Sequence, residues 1–245
     1  MKLKILGVNI DKISLSETLN SISGLITGQS QHLIATVNPE FIVEAQKNSE
    51  FATVLNSATI NTCDGAGLQW AARFLYGENI PRVTGVDLVQ ELLKSKTGNY
   101  KIFLLGGAEG VAAGLRQKYP ENIVGAESGG KLNKIVKPWV LENNDNIIEK
   151  INESGANIIL VAFGQVKQEI WILGNLPLIP SVKVGIGIGG TFDYLTGKVK
   201  RPPAWMRRAG LEWLYRLVMM PERAGRIYNA TVKFAWLILN EKFKK

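Results

Sequence analysis

The chain has 245 residues, enough for one full core and an appendage, with 46% hydrophobic and 20% charged residues, the balance of an ordinary globular protein. A single cysteine, Cys63, excludes an intramolecular disulfide and a four-cysteine metal site. The net charge of +8 is segregated: residues 1–195 hold 17 Lys/Arg against 18 Asp/Glu (−1), and residues 196–245 hold 12 against 3 (+9), which points to a polyanionic partner at one end.

The N-terminal stretch Met1–Asp11 lacks a long apolar core and a small-residue cleavage site, so it reads as a first strand and not as a signal peptide. No apolar run reaches the roughly 20 residues that span a bilayer, and the expected location is the cytoplasm. Strand patterns follow at Lys4–Ile10, Leu33–Val37, Thr59–Thr62, Lys101–Leu105, Asn122–Ala126, Asn157–Ala162 and Val182–Ile188. Several are wholly apolar, as in Ile158-Ile159-Leu160-Val161, which suits strands covered on both faces. Amphipathic runs near 15–27, 39–48, 65–76, 85–95, 109–118, 138–153 and 166–174 alternate with them, and Pro39 and Pro138 stand where a first helical turn begins. The alternation predicts an α/β fold: a Rossmann-like, mainly parallel sheet with helices on both faces, filling residues 1–195 as a catalytic domain. From Lys198 a basic, proline-containing stretch leads into two helical segments, Ala204–Met220 and Glu222–Lys245. They are rich in Trp, Leu, Tyr and Met and studded with arginine, the composition of helices lying in a membrane interface. Residues 196–245 therefore read as a basic helical appendage that associates with a membrane.

In such sheets ligands bind beyond the carboxyl ends of the strands. The exits here are Thr36-Val37-Asn38-Pro39-Glu40, Asp64-Gly65-Ala66-Gly67, Gly106-Gly107-Ala108-Glu109-Gly110, Phe163 through Glu169, and Gly189-Gly190-Thr191-Phe192-Asp193. Gly185-Ile-Gly187-Ile-Gly189-Gly190 formally matches a dinucleotide fingerprint. However, its glycines lie within the strand and its end, no full helix follows, and the region about 20 residues on is basic where a ribose-binding carboxylate belongs. A nicotinamide oxidoreductase is therefore disfavoured. The Gly106–Gly110 loop is better placed, and its amides either face a phosphate or simply make a tight turn. Asp64 is the candidate general base, with Thr36 and Asn38 beside it; the competing role is that of a helix N-cap. His32, the only histidine, begins a strand and reads as structural, and Cys63 as a small buried side chain. Gln165, Lys167, Gln168 and Glu169 open a helix at a strand exit, where they suit contact with a nucleotide or sugar. No Asp-x-Asp and no cluster with metal-ligand spacing occurs, so charge on a leaving diphosphate falls to arginines and helix N-termini: Arg82 in the body, Arg216, Arg223 and Arg226 in the tail. Solvated or lipid-facing basic surface is the competing role for the tail arginines.

Together, Thr36-Val-Asn-Pro-Glu40, Asp64-Gly-Ala-Gly67, Arg82-Val-Thr-Gly-Val-Asp87, Phe163-Gly-Gln-Val-Lys-Gln-Glu169, Gly189-Gly-Thr-Phe-Asp193 and Gly197 through Arg216 resemble the WecG/TagA/CpsF glycosyltransferase family, its TagA branch most of all. The likeness runs from about Leu33 to Arg226. It implies an inverting, metal-independent transferase without a cofactor, taking a UDP-activated N-acetylmannosamine-type donor and an undecaprenyl-diphosphate-linked N-acetylglucosamine acceptor, at the start of wall teichoic acid linkage-unit synthesis. It also implies Asp64 as base with Thr36 and Asn38 in the same pocket, Arg82, Gln165 and Gln168 on a diphosphate, and the tail arginines completing the site. One departure from the family pattern is Cys63, where proline is expected. The implied partners are the UDP sugar, the lipid-linked acceptor and the anionic inner leaflet. Nucleic acid is the rival for the basic tail, but Trp, Leu and Met suit lipid better and no nucleic-acid module is present. The donor, N-acetylmannosamine or its uronic acid, and self-association into a homo-oligomer stay open.

Overall fold

In the computed structural model, residues 1–96, 99–108, 110–130, 132–133 and 140–244 are described. The sheet-forming strands are β1 (Lys2–Ile5), β2 (Val8–Asp11), β3 (His32–Val37), β4 (Ile60–Cys63), β5 (Ile102–Gly106), β6 (Ile123–Glu127), the two-residue β7 (Leu132–Asn133) and β8 (Val140–Leu141), β9 (Ile158–Ala162) and β10 (Val184–Gly187). Six of them form one sheet in the order β4-β3-β10-β9-β5-β6, every neighbouring pair parallel. All six carboxyl ends therefore emerge at one edge, which is the Rossmann-like arrangement expected from the sequence.

Helices α1 (Leu15–Leu25), α2 (Pro39–Ala45), α3 (Ser49–Ser57), α4 (Ala66–Tyr76), α5 (Gly85–Lys94), α6 (Val111–Lys118), α7 (Asn144–Ser154), α8 (Lys167–Asn175) and α9 (Thr191–Leu195) cover the sheet. Side chains alternate between the faces of a strand, and the core divides accordingly. Ile34, Leu104, Ile158, Leu160 and Ile186 pack with Leu88, Leu92, Leu115 and Phe192 on one face; Leu33, Phe103, Leu105, Ile159 and Val161 pack with Ile151, Trp171 and Ile172 on the other. This explains the unbroken apolar runs.

Three sequence expectations are corrected. The single strand at Lys4–Ile10 is a hairpin, because Leu6 (φ 46°) and Gly7 (φ 84°) make a two-residue turn with both residues left-handed, and Ile5 pairs with Val8. The helix at 39–48 ends at Ala45, and a further helix, α3, begins where the Asn48 side chain accepts from Phe51 N at 3.0 Å. Within 138–153 the helix starts at Asn144, after the short strand at Val140–Leu141; Pro138 lies outside the described residues, as does Glu109.

The C-terminal segment comprises α10 (Ala204–Arg208), α11 (Glu212–Met219), α12 (Ala224–Tyr228), a π-helical turn at Asn229–Lys233, and α13 (Phe234–Lys244). It folds back onto the body: Phe234 and Ile238 are buried in the same cluster as Phe41, Leu68, Ala71 and Leu75 of α2 and α4. Trp205, Val218, Met219, Trp236 and Phe243 stay more than half exposed. Among the described residues no helix is long and apolar enough to cross a membrane.

Candidate functional site

The site grows from the exits of β3, β4 and β10. Thr36, buried at the end of β3, donates its hydroxyl to the carbonyl of Gly187 at 3.2 Å and so ties β3 to β10. Asn38 is the N-cap of α2, its Oδ1 accepting from Phe41 N at 3.2 Å, and Pro39 fills the first helical position where no donor is needed. Asp64 follows β4, and its amide donates to the carbonyl of Val37 at 2.7 Å. The N-cap alternative for Asp64 fails: the cap of α4 is Gly65, with no side-chain bond, and Asp64 Oδ2 accepts instead from Gly85 N at 3.2 Å, at the start of α5. Burial pushes the Asp64 carboxyl up to about 6, opposed by the Gly85 N–H and by Arg216 and Arg82, and assisted by the negative charge of Glu212. A carboxylate raised toward neutrality is suited to taking a proton.

Arginines close the other side. Arg82 ion-pairs with Glu212 of α11 and donates from Nη1 to the carbonyl of Arg207 at 2.9 Å, so this body residue is a strut to the tail. The expectation that it grips a diphosphate meets this prior commitment. Arg216 lies 3.8 Å from Glu212 with its guanidinium 5.9 Å above the Tyr194 ring. Arg226 forms a two-point pair with Glu40 at 2.8 and 3.1 Å. Arg223 also lines the cleft.

The segment after β9 divides into two roles. Gln165 and Gln168 line the cleft, and Gln165 Oε1 is buried without a hydrogen-bond partner. Glu169, expected among the binding residues, is not among those that line the cleft. It is fully buried, accepts from Val166 N at 2.8 Å and from Gln168 Nε2 at 2.6 Å, and burial raises its carboxyl to about 7. Gln168 Oε1 in turn accepts from Gly189 N at 2.9 Å, so Glu169 fixes the cleft indirectly. Lys167 is likewise absent from the lining. A Cβ on Gly187 would run into the Glu169 carboxylate and lie 2.7 Å from Gln168 Nε2, and one on Gly185 would run into Ile172, so the glycines of β10 make room for α8.

Gly107 lines the cleft and Gly106 does not. Both have positive φ, the backbone conformation that favours glycine, and Gly107 N donates to the carbonyl of Ala162, at the end of the neighbouring strand, at 3.3 Å. Gly189, Gly190 and Asp193 line the cleft beside Tyr194. His32 bonds Thr59 Oγ1 at 3.0 Å, and burial pushes the Cys63 thiol up to about 12, so both are structural. Among the described residues no group of three or more His, Cys, Asp or Glu side chains could hold a metal ion.

The cleft has two lobes that share Asn38, Glu40, Asp64, Glu212, Arg216, Arg223 and Arg226. One, of about 340 Å³, is polar, with Thr36, Thr84, Gln165, Gln168, Asp193 and Arg201. The other, of about 380 Å³, has Trp70, Trp213, Ile227 and Phe234 in its walls. Sequence reasoning missed these four, together with Tyr194 and Arg201. Arg201 sits in the basic, proline-containing stretch that begins at Lys198, and the apolar four look in sequence like ordinary amphipathic helix positions.

Fold and cleft define a Rossmann-like α/β protein with a carboxylate-and-arginine site at the strand ends. The model of the glycosyl transferase WecG/TagA/CpsF family matches residues 3–245, and the chain belongs to this family of glycosyltransferases.

Proposed function

We propose that the protein transfers N-acetylmannosamine from its UDP derivative to undecaprenyl-diphosphate-linked N-acetylglucosamine, an early step in building the wall teichoic acid linkage unit. The observation that carries the reading is the place of Asp64, at the junction of a polar lobe and an apolar lobe and flanked by arginines. A transferase base must stand between its donor and its acceptor. The polar lobe suits a nucleotide sugar, and the lobe walled by Trp70, Trp213, Ile227 and Phe234 suits a prenyl-linked acceptor.

In this reading Asp64 takes the proton of the acceptor hydroxyl, whose oxygen attacks the anomeric carbon from the face opposite UDP. The bond from that carbon to the diphosphate oxygen breaks, UDP leaves with the electron pair, and the anomeric configuration inverts. Thr36 and Asn38 shape the pocket around the reacting groups, and Gln165 offers its unpaired acceptor to a sugar or base N–H or O–H. Arg216 and Arg223 neutralise the departing diphosphate, in place of a metal ion. The exposed Trp205, Val218, Met219, Trp236 and Phe243, together with the basic tail, seat the protein on the anionic inner leaflet where the acceptor resides.

The test is UDP release from UDP-N-acetylmannosamine with the lipid-linked acceptor, with and without EDTA. Acceptor-dependent release that survives EDTA upholds the reading. No release by protein that still binds UDP would overturn the sugar or the acceptor named here.

A further inference from the structure

Beside the cleft, sharing Arg82, Thr84 and Arg201 with its walls, lies an open depression of about 380 Å³ that Asp87, Arg207 and Arg208 also line. Four guanidinium groups share it with one carboxylate, and like charges so gathered repel one another unless an anion lies among them. Two of the four are compensated: Arg201 pairs with Asp87 at 2.8 Å, and Arg82 with Glu212. The side chains of Arg207 and Arg208 have no carboxylate partner among the described residues, and Arg207 Nε is buried with no hydrogen-bond acceptor. A buried N–H without an acceptor is destabilising, and it marks a place where an acceptor belongs.

We propose that this depression is a second anion site, adjoining the transfer cleft and centred on Arg207 and Arg208, which do not line the cleft, and that it takes a phosphate or diphosphate group. Planar guanidinium forks match phosphate oxygens two at a time, and several converging on one point select that group over a monovalent ion. The basic pair is carried by α10, whose Trp205, two residues before Arg207, is 64% exposed, so an anion held here sits beside an exposed aromatic anchor. It is also tied to the cleft, since the Arg207 carbonyl receives Arg82 Nη1 and Arg82 holds Glu212. An anion that orders α10 thereby orders the strut that brings α11 and Arg216 over Asp64. The phosphate has two sources: the headgroup of an anionic lipid, or a soluble diphosphate.

The experiment titrates inorganic pyrophosphate calorimetrically into full-length protein saturated with UDP, comparing the native chain with Arg207→Gln/Arg208→Gln. That variant leaves the cleft side chains and the Arg207 carbonyl in place. One further equivalent of pyrophosphate, weakened at least about tenfold in the variant while its UDP thermal shift is kept, is the result expected. No further equivalent, or one that the variant binds as well, overturns the proposal. Sedimentation with phosphatidylglycerol-containing vesicles separates the sources. Vesicle binding lost in the variant assigns the site to a headgroup, and vesicle binding retained, with pyrophosphate binding lost, assigns it to a soluble diphosphate. If UDP does not bind at all, the donor assignment fails, and the same comparison of pyrophosphate binding by the native chain and the variant, made without UDP, still tests the depression.

Discussion

Replacing Asp64 with asparagine should make the protein more stable and nearly inactive, in a way that depends on pH. The fold raises this carboxyl from the ordinary 3.8 to about 6, chiefly by burial. At about 1.36 kcal/mol per tenfold change in proton affinity, the ionised form then costs the native state about 3 kcal/mol, which water in the cleft screens to about 1–3 kcal/mol. Because the folded value lies above the unfolded one, the native state binds more protons between pH about 4 and 6. Wild-type stability therefore falls as pH rises through that window and levels off above it. Asparagine cannot ionise, and its side-chain oxygen can still accept from Gly85 N. Urea unfolding should accordingly show Asp64→Asn about 1–3 kcal/mol more stable than wild type at pH 7.5, with the gap shrinking to about 0.5 kcal/mol near pH 4. Turnover should drop by roughly 10²–10⁴-fold, the contribution of a general base. A variant that is no more stable at pH 7.5, or that keeps more than about a tenth of wild-type turnover, would refute the assignment of Asp64 as a desolvated base.

The supporting structure makes further predictions. Glu169→Ala leaves Val166 N and Gln168 Nε2 without their acceptor inside the protein, and should lower stability by about 2–4 kcal/mol, with Glu169→Gln recovering most of it in denaturant titrations. Gly187→Ala drives a methyl group into Gln168 and should cost about 1–3 kcal/mol while weakening UDP binding, read by thermal shift. Phe234→Ala should destabilise by about 3–5 kcal/mol because the ring is buried between the tail and the body. Trp236→Ala, 59% exposed at the start, should leave unfolding within about 0.5 kcal/mol of wild type and weaken sedimentation with anionic vesicles.

Much of the site was legible because strand exits are marked by polar and glycine residues against apolar strands. Thr36, Asn38, Asp64, Gln165, Gln168 and Gly189 fall at those exits in the sequence and meet in the cleft. The burial of Glu169 was not legible because Gln165, Lys167, Gln168 and Glu169 give no sign of which one a helix turns inward; its carboxylate lies against Gly187, where a side chain would leave it no room. The Leu6-Gly7 turn was missed because apolar residues on both sides of it kept up a strand-like pattern, and α3 because its start depends on Asn48 as a cap immediately after another helix.

The order of apolar and amphipathic runs by itself determined a parallel α/β sheet, since only strands covered on both faces can be so uniformly apolar. The charge count by itself assigned the basicity to the last fifth of the chain. What the tertiary structure decided was the use of each charge. Arg82 is turned to Glu212 and the Arg207 carbonyl, Arg226 pairs with Glu40, and Arg207 and Arg208 have no carboxylate partner among the described residues. Such pairings join residues more than a hundred positions apart, and electrostatics acts over a few ångströms of space, a distance that periodicity and composition do not encode.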